Sequence, residues 1–139
     1  MPHHLGLHHL ALFCQDLQSS LQFYTNILGM TIEWQPDSDN VYLTSGNDNL
    51  ALHQAREPRA KNQALDHLGF IVASPEEVHA WHKQMKEHNV QPLSPVKAHR
   101  DGAHSFYCQD PDGNSIQMIY HPPISPKLAD IKNSALADI

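Results

Sequence analysis

His9-Leu10-Ala11-Leu12-Phe13-Cys14 and His67-Leu68-Gly69-Phe70-Ile71-Val72 repeat one pattern: a histidine, then an alternating apolar run. Each leads into a helix-capping residue, Asp16 or Ser74, and in both cases the second copy lies 58 residues after the first. Self-similarity at this period means two copies of one supersecondary unit, each too small to bury a core alone. The repeat also decides strand register. His8 and His9 are adjacent, and only one of them can face a given side of a sheet. His9 matches His67, whereas His8 matches Asp66. His9, Ala11 and Phe13 are therefore expected on one face, as are His67, Gly69 and Ile71, with Leu10, Leu12, Leu68 and Phe70 turned toward helices. Two imidazoles at matching places are the beginning of a metal site.

The rest of each copy follows from capping and turn chemistry. Leu5 to Phe13 alternates as a strand. Asp16 is an N-cap, Leu17, Leu21, Tyr24 and Leu28 follow at helical spacing, and Gly29 is a left-handed stop. In the second copy, Ser74-Pro75-Glu76-Glu77 reads as a capping box with proline at the first helical position. Val78, Trp81 and Met85 make its apolar stripe, and Asn89 supplies the stop. Three short strands are expected after each helix. The first set is Thr31 to Trp34, Val41 to Thr44 and Asn49 to Gln54. The second lies around Val90 and Val96, at Ser105 to Cys108 and at Ser115 to Tyr120. Asp110-Pro111-Asp112-Gly113-Asn114 forms the turn before the last one. The expectation is an α+β fold of two tandem βαβββ modules in a single domain over 5–121. Module one spans 5–57 and module two 65–121, joined by a polar linker with Pro58, Lys61 and Asn62. Residues 122–139 open with Pro122-Pro123 and continue as a weak helix from Lys127 to Ala137, expected to dock.

With 139 residues the chain has room for one compact domain. No apolar run approaches the ~20 residues of a membrane span, and Met1-Pro2-His3-His4 does not resemble a signal peptide, so a cytoplasmic protein is expected. A formal charge of −6 leaves no basic stripe for phosphate contacts, which argues against a nucleic-acid partner. Cys14 and Cys108 sit at non-equivalent places and read as small buried hydrophobes.

Together, His9-Leu-Ala-Leu with Asp16-Leu17, the stretch from Phe23 to Met30, and the Asp110-Pro-Asp-Gly-Asn turn resemble the vicinal oxygen chelate superfamily. That group includes glyoxalase I, fosfomycin-resistance proteins, extradiol dioxygenases and bleomycin-resistance proteins. The resemblance runs from about Leu7 to Tyr120. It implies modules whose curled mixed sheets form a cup, usually completed in a homodimer. It also implies a divalent ion held by a histidine from each first strand and a glutamate from the last strand. These positions fall here on His9, His67 and Gln117, and a fourth family position falls on Ala51. The glutamate is therefore a glutamine, a hard but neutral donor. Metal affinity should fall, and an ion that stays should be a stronger Lewis acid. Iron, manganese, zinc and nickel are not distinguished by this set.

His53 lies two residues beyond Ala51 on the same strand face, which leaves open a ligand, a substrate-facing base or a structural histidine. Tyr107 lies one strand over, which leaves open a hydrogen bond to a substrate oxygen or a half-buried sheet tyrosine. The layout is closest to the fosfomycin-resistance proteins, through Val41-Tyr42-Leu43, Arg56-Glu57-Pro58 and Ser105-Phe106-Tyr107. Against that activity stand Ala11, where that group carries threonine, and the missing glutamate. The resulting expectation is a small-molecule metalloenzyme with His9, His67 and Gln117 as ligands and His53 and Tyr107 as the acid–base or orienting pair. The alternative is a metal-free, ligand-sequestering protein of bleomycin-resistance type.

Overall fold

A computed structural model describes residues 1–3, 5–58 and 64–137. Lys61 and Asn62 of the expected linker, and the last two residues of the tail, lie outside the described residues. The chain divides into two compact units, Met1–Gln63 and Ala64–Ile139.

Unit 1 opens with β1 (His9–Cys14) and α1 (Leu17–Gln22), followed by a π-helical turn at Phe23–Ile27. It continues with β2 (Thr31–Asp37), β3 (Asn40–Thr44) and β4 (Asn49–Gln54). The sheet order is β1-β4-β3-β2, with β1 parallel to β4 and the other pairs antiparallel. Asp16 caps α1 by accepting from the backbone N–H groups of Gln18 and Ser19. The expected helical stripe is corrected here. The π turn, closed by Leu28 N–H donating to the Phe23 carbonyl at 3.1 Å, rotates the chain so that Phe23 and Tyr24 are both buried. Their rings meet edge to face at 5.1 Å, while Leu21 and Leu28 are only half-buried. Gly29 ends the helix at φ 76°, a conformation that costs glycine no Cβ clash.

Along β1, Leu12 and Cys14 are buried and His9, Ala11 and Phe13 are exposed, the alternation expected from the repeat. The strand starts later than expected, at His9, after Gly6 at φ 110°. Leu12, Val41, Leu43, Leu50 and Leu52 form the core of unit 1. Burying a leucine fully is worth ~1.5–3 kcal/mol, so this layer carries much of the unit's stability.

Unit 2 repeats the plan with β5 (Leu68–Ile71), α2 (Pro75–Glu87), β6 (Lys97–Ala98), β7 (His104–Gln109) and β8 (Ser115–Tyr120), then α3 (Ser125–Ala137). Its order, β5-β8-β7-β6, copies that of unit 1, with β5 parallel to β8. Ser74 Oγ accepts from the Glu77 N–H at 3.2 Å, and Asn89 ends the helix at φ 60°. The strand expected around Val90 and Val96 shrinks to Lys97–Ala98. Pro92 and Pro95 have no N–H to give a ladder, and between them Leu93 N–H bonds across to the Tyr107 carbonyl at 2.8 Å. Val78, Met85, Phe106, Cys108, Ile116 and Met118 form the core. Cys14 and Cys108 are both buried and neither is in a disulfide, and burial with Asp110 nearby pushes the Cys108 thiol up to about 11. The fold is thus α+β, from two βαβββ modules. α3 starts at Ser125, whose hydroxyl accepts from His121 N–H at 2.8 Å, but Ile131 and Leu136 remain exposed.

Candidate functional site

Strand pairing sets which side chains share a face. In unit 1, His9 pairs with Asn49, Ala11 with Ala51 and Phe13 with His53. On the other side of β4, Tyr42 pairs with Ala51 and Asn40 with His53, and Trp34 pairs with Tyr42 one strand further out. All of these lie on the face opposite the core. Rings tile it: Trp34 stacks on Tyr42 at 5.1 Å, Tyr42 meets His53 edge-on at 5.9 Å, and Phe13 lies 6.2 Å from His53.

Two hydrogen-bonded chains cross this face. His9 Nδ1–H donates to Asn49 Oδ1 at 2.7 Å, and Asn49 Nδ2 donates to Glu33 Oε2 at 3.2 Å. His53 Nδ1–H donates to Asn40 Oδ1 at 2.6 Å, and Asn40 Nδ2 donates to Asp37 Oδ1 and Oδ2 at 2.8 and 3.1 Å. Donor roles follow from inventory. An ionised carboxylate only accepts, so each amide must turn its NH₂ toward it and offer its oxygen to the ring. In its neutral form each ring therefore carries its proton on Nδ1 and leaves a lone pair on Nε2. The Asp37 carboxyl is held below its ordinary range, chiefly by the Asp39 backbone N–H and then by the Asn40 amide, with His53 contributing least.

In unit 2, Gly69 pairs with Gln117, and Tyr107 pairs with Gln117 from the other side. A Cβ on Gly69 would lie 3.9 Å from Gln117 Oε1, so the amide lies across the glycine. His67 stands one residue before β5, on the Gly69 face and about 8 Å from Gln117 along the diagonal. Its Nδ1–H donates to Asp66 Oδ2 at 2.6 Å, and its ring meets Tyr107 edge-on at 5.5 Å. The His67 side chain is 36% exposed.

The expected residues therefore gather as two half-sets, His9 with His53 and His67 with Gln117 and Tyr107. His53 does not share an ion with His9: the register puts them four residues apart along neighbouring strands, about 13 Å. Two imidazoles bonded at ~2.0–2.1 Å to one ion cannot span that. Among the described residues no three His, Cys, Asp or Glu side chains gather as a metal cluster. A set of histidines plus glutamine falls outside that definition, and within unit 2 an imidazole nitrogen of His67 and the hard amide oxygen of Gln117 are donor types that suit a divalent ion. Sequence reading missed Tyr42, the counterpart of Tyr107, and the carboxylates Glu33 and Asp37.

The model of the Glyoxalase/Bleomycin resistance protein/Dioxygenase superfamily matches residues 6–118. The chain belongs to this superfamily. It is 29% identical over 115 residues to the metallothiol transferase FosB of Staphylococcus epidermidis, covering 81% of this chain and 80% of that protein. It is 30% identical over 116 residues to the glutathione transferase FosA of Serratia marcescens, covering 81% and 79%. The lactoylglutathione lyase structure from Agrobacterium tumefaciens matches with a TM-score of 0.73 over 86% of this chain and 96% of that one, at 21% identity, a likeness of fold alone. Among the described residues of this superfamily member, no helix is long and apolar enough to cross a membrane.

Proposed function

We propose that the protein is a divalent-metal enzyme acting on a small molecule that binds through two neighbouring oxygens. His9, His67 and Gln117 would hold the ion, with His53 and Tyr107 as the acid–base and orienting pair. The carrying observation is that His9 and His67 each have Nδ1–H bonded to an oxygen, leaving Nε2 as the only ring atom able to ligate. That is how metal-binding histidines are usually held. Kinship with a metallothiol transferase supports the same reading. When bound, the ion would supply Lewis acidity to the substrate oxygens. His53, whose Nε2 carries a lone pair, would accept a proton from the substrate, and the Tyr107 hydroxyl would hydrogen-bond a substrate oxygen. Lyase, isomerase, transferase and dioxygenase chemistry all fall within this reading.

The test is metal content. Purified protein should carry stoichiometric iron, manganese, zinc or nickel, and His67→Ala should lose it. Unchanged metal in that variant would remove His67 from the ligand set. The metal-free, ligand-sequestering reading is favoured by one observation: neither Gln117 nor its counterpart Ala51 is a carboxylate. Protein free of metal that still binds a cationic ligand would establish it.

We also propose a homodimer. Phe13 is 72% and Trp34 59% exposed in a single chain, a large ring surface to leave in water. Light scattering at micromolar concentration should give twice the monomer mass of 15.7 kDa. A monomer mass would refute it.

A further inference from the structure

Strand β2 pairs with β3 through two irregularities. Between Ile32 and Trp34 it advances two residues while β3 advances one, from Leu43 to Tyr42. Between Trp34 and Asp37 it advances three against two, from Tyr42 to Asn40. Each is a bulge that adds one residue, and bulges re-aim the side chains around them. The first contains Glu33. The second ends at Asp37, where Asp37 Oδ1 also accepts the Asp39 N–H at 2.8 Å, closing the hairpin. In a regular strand, Glu33 and Trp34 would point to opposite faces. The bulge brings the Glu33 carboxylate to Asn49, which lies two strands away on the face that carries Trp34 and His9. Two bulges, two carboxylates, two asparagines and two histidines thus form one arrangement used twice on one sheet face.

We propose that Asn49 and Asn40, oriented by Glu33 and Asp37 of bulged strand β2, are positioning residues that lock His9 and His53 in the Nδ1–H tautomer. This rests on the reading of His9 as a ligand and His53 as a base, because both roles need a free lone pair on Nε2. Neutral imidazole in water prefers its proton on Nε2, the opposite form. Without the lock, most of each ring population would have its lone pair turned toward Asn49 or Asn40. Each amide would then have to flip its NH₂ toward the ring, which sets its oxygen against a carboxylate. Unit 2 reaches the same tautomer with a single residue, Asp66, whose carboxylate contacts His67 directly.

The test is long-range proton–nitrogen correlation NMR on the uniformly ¹⁵N-labelled, metal-free full chain, with the two rings assigned by their loss in His9→Gln and His53→Gln. Both should show the Nδ1–H pattern, and an Nε2–H pattern for either would overturn the proposal. Asn40→Leu should return His53 to the Nε2–H form, and Asn40→Asp, which keeps an acceptor, should restore Nδ1–H. A tautomer indifferent to both changes would also overturn it. Zinc titration separates this inference from the reading beneath it. Asn49→Leu should weaken zinc binding about 10–100-fold, the usual cost of losing a partner behind a ligand, while Asn40→Leu should leave zinc affinity unchanged. Nδ1–H rings in a chain that binds no metal would sink the metal reading and leave the lock standing. Zinc binding with Nε2–H rings would sink the lock alone.

Discussion

His9 and His67 occupy equivalent places in the two units, yet their rings are held by different means. In unit 2 the partner is the preceding residue, Asp66, so the constraint is local. In unit 1 the equivalent place is His8, whose ring bonds instead to the Leu5 carbonyl at 3.1 Å. His9 is held through Asn49 on the next strand and Glu33 beyond it. A local partner needs only chain sequence. A remote one needs correct register across four strands, so the His9 ring depends on the whole sheet of unit 1. The units differ again at the position beside the first strand: Gln117 in one, Ala51 in the other. Unit 2 keeps a donor there, and unit 1 keeps a small residue beneath Tyr42. Two steps further on, unit 1 carries His53 where unit 2 carries Ile119. Unit 2 therefore places an amide beside its first strand where unit 1 has a methyl, and unit 1 carries a second, separate imidazole.

The sharpest way to break this comparison is to give both units the same residue. Ala51→Glu should destabilise the protein by about 2 kcal/mol, because Ala51 is 1% exposed between Ala11 and Tyr42 and a longer side chain must displace its neighbours. Gln117→Glu should fold normally, since Gln117 is half-buried on an open face, and should tighten divalent binding several-fold in titration calorimetry. Equal stability of the two variants would mean that the units are interchangeable. Weaker binding by Gln117→Glu would remove Gln117 from the ligand set.

A smaller contrast lies in the helix caps. Ser74→Ala should cost about 1 kcal/mol in urea unfolding, at any pH between 3 and 7, because a hydroxyl does not titrate. Asp16→Ala should also lower stability, but its deficit should depend on pH. The Asp16 carboxyl is held below its ordinary 3.8, first by the Ser19 hydroxyl and then by the Ser19 backbone N–H. A depressed carboxyl stabilises the fold above the unfolded value and loses that contribution as pH falls through the folded one. The Asp16→Ala deficit should therefore be full at neutral pH and shrink below about pH 4. A deficit that stays flat would show that Asp16 acts through shape alone.

The repeat made much of this legible. A constant offset fixed which histidine faces the site, because a one-residue slip would reverse every side chain on the strand. The offset does not stay constant. Tyr42 and Tyr107 are 65 residues apart, and Ala51 and Gln117 are 66. The loop Ser45-Gly46-Asn47-Asp48 is one residue shorter than Asp110-Pro111-Asp112-Gly113-Asn114. Because the offset has already grown from 58 to 65 before it, Tyr42 falls out of alignment with Tyr107 unless the strands are paired first. Glu33 and Asp37 were hidden for a related reason. Bulges leave no mark on apolar alternation, and every residue of β2 is exposed, so the strand gives no core signal. The π turn was likewise invisible, since Leu17, Leu21, Tyr24 and Leu28 fit an ordinary helix as well as they fit anything.

The irregular strand has one more consequence, unrelated to imidazoles. β2 is the outer strand of its sheet, with Ile32 and Trp34 exposed along it, the kind of edge on which a second chain can pair. Two extra residues break the even spacing of its outward N–H and C=O groups, and Pro36 deletes one donor altogether. A would-be neighbour therefore finds a ladder with missing rungs. The same slack that carries two carboxylates to their partners guards the sheet against unwanted growth.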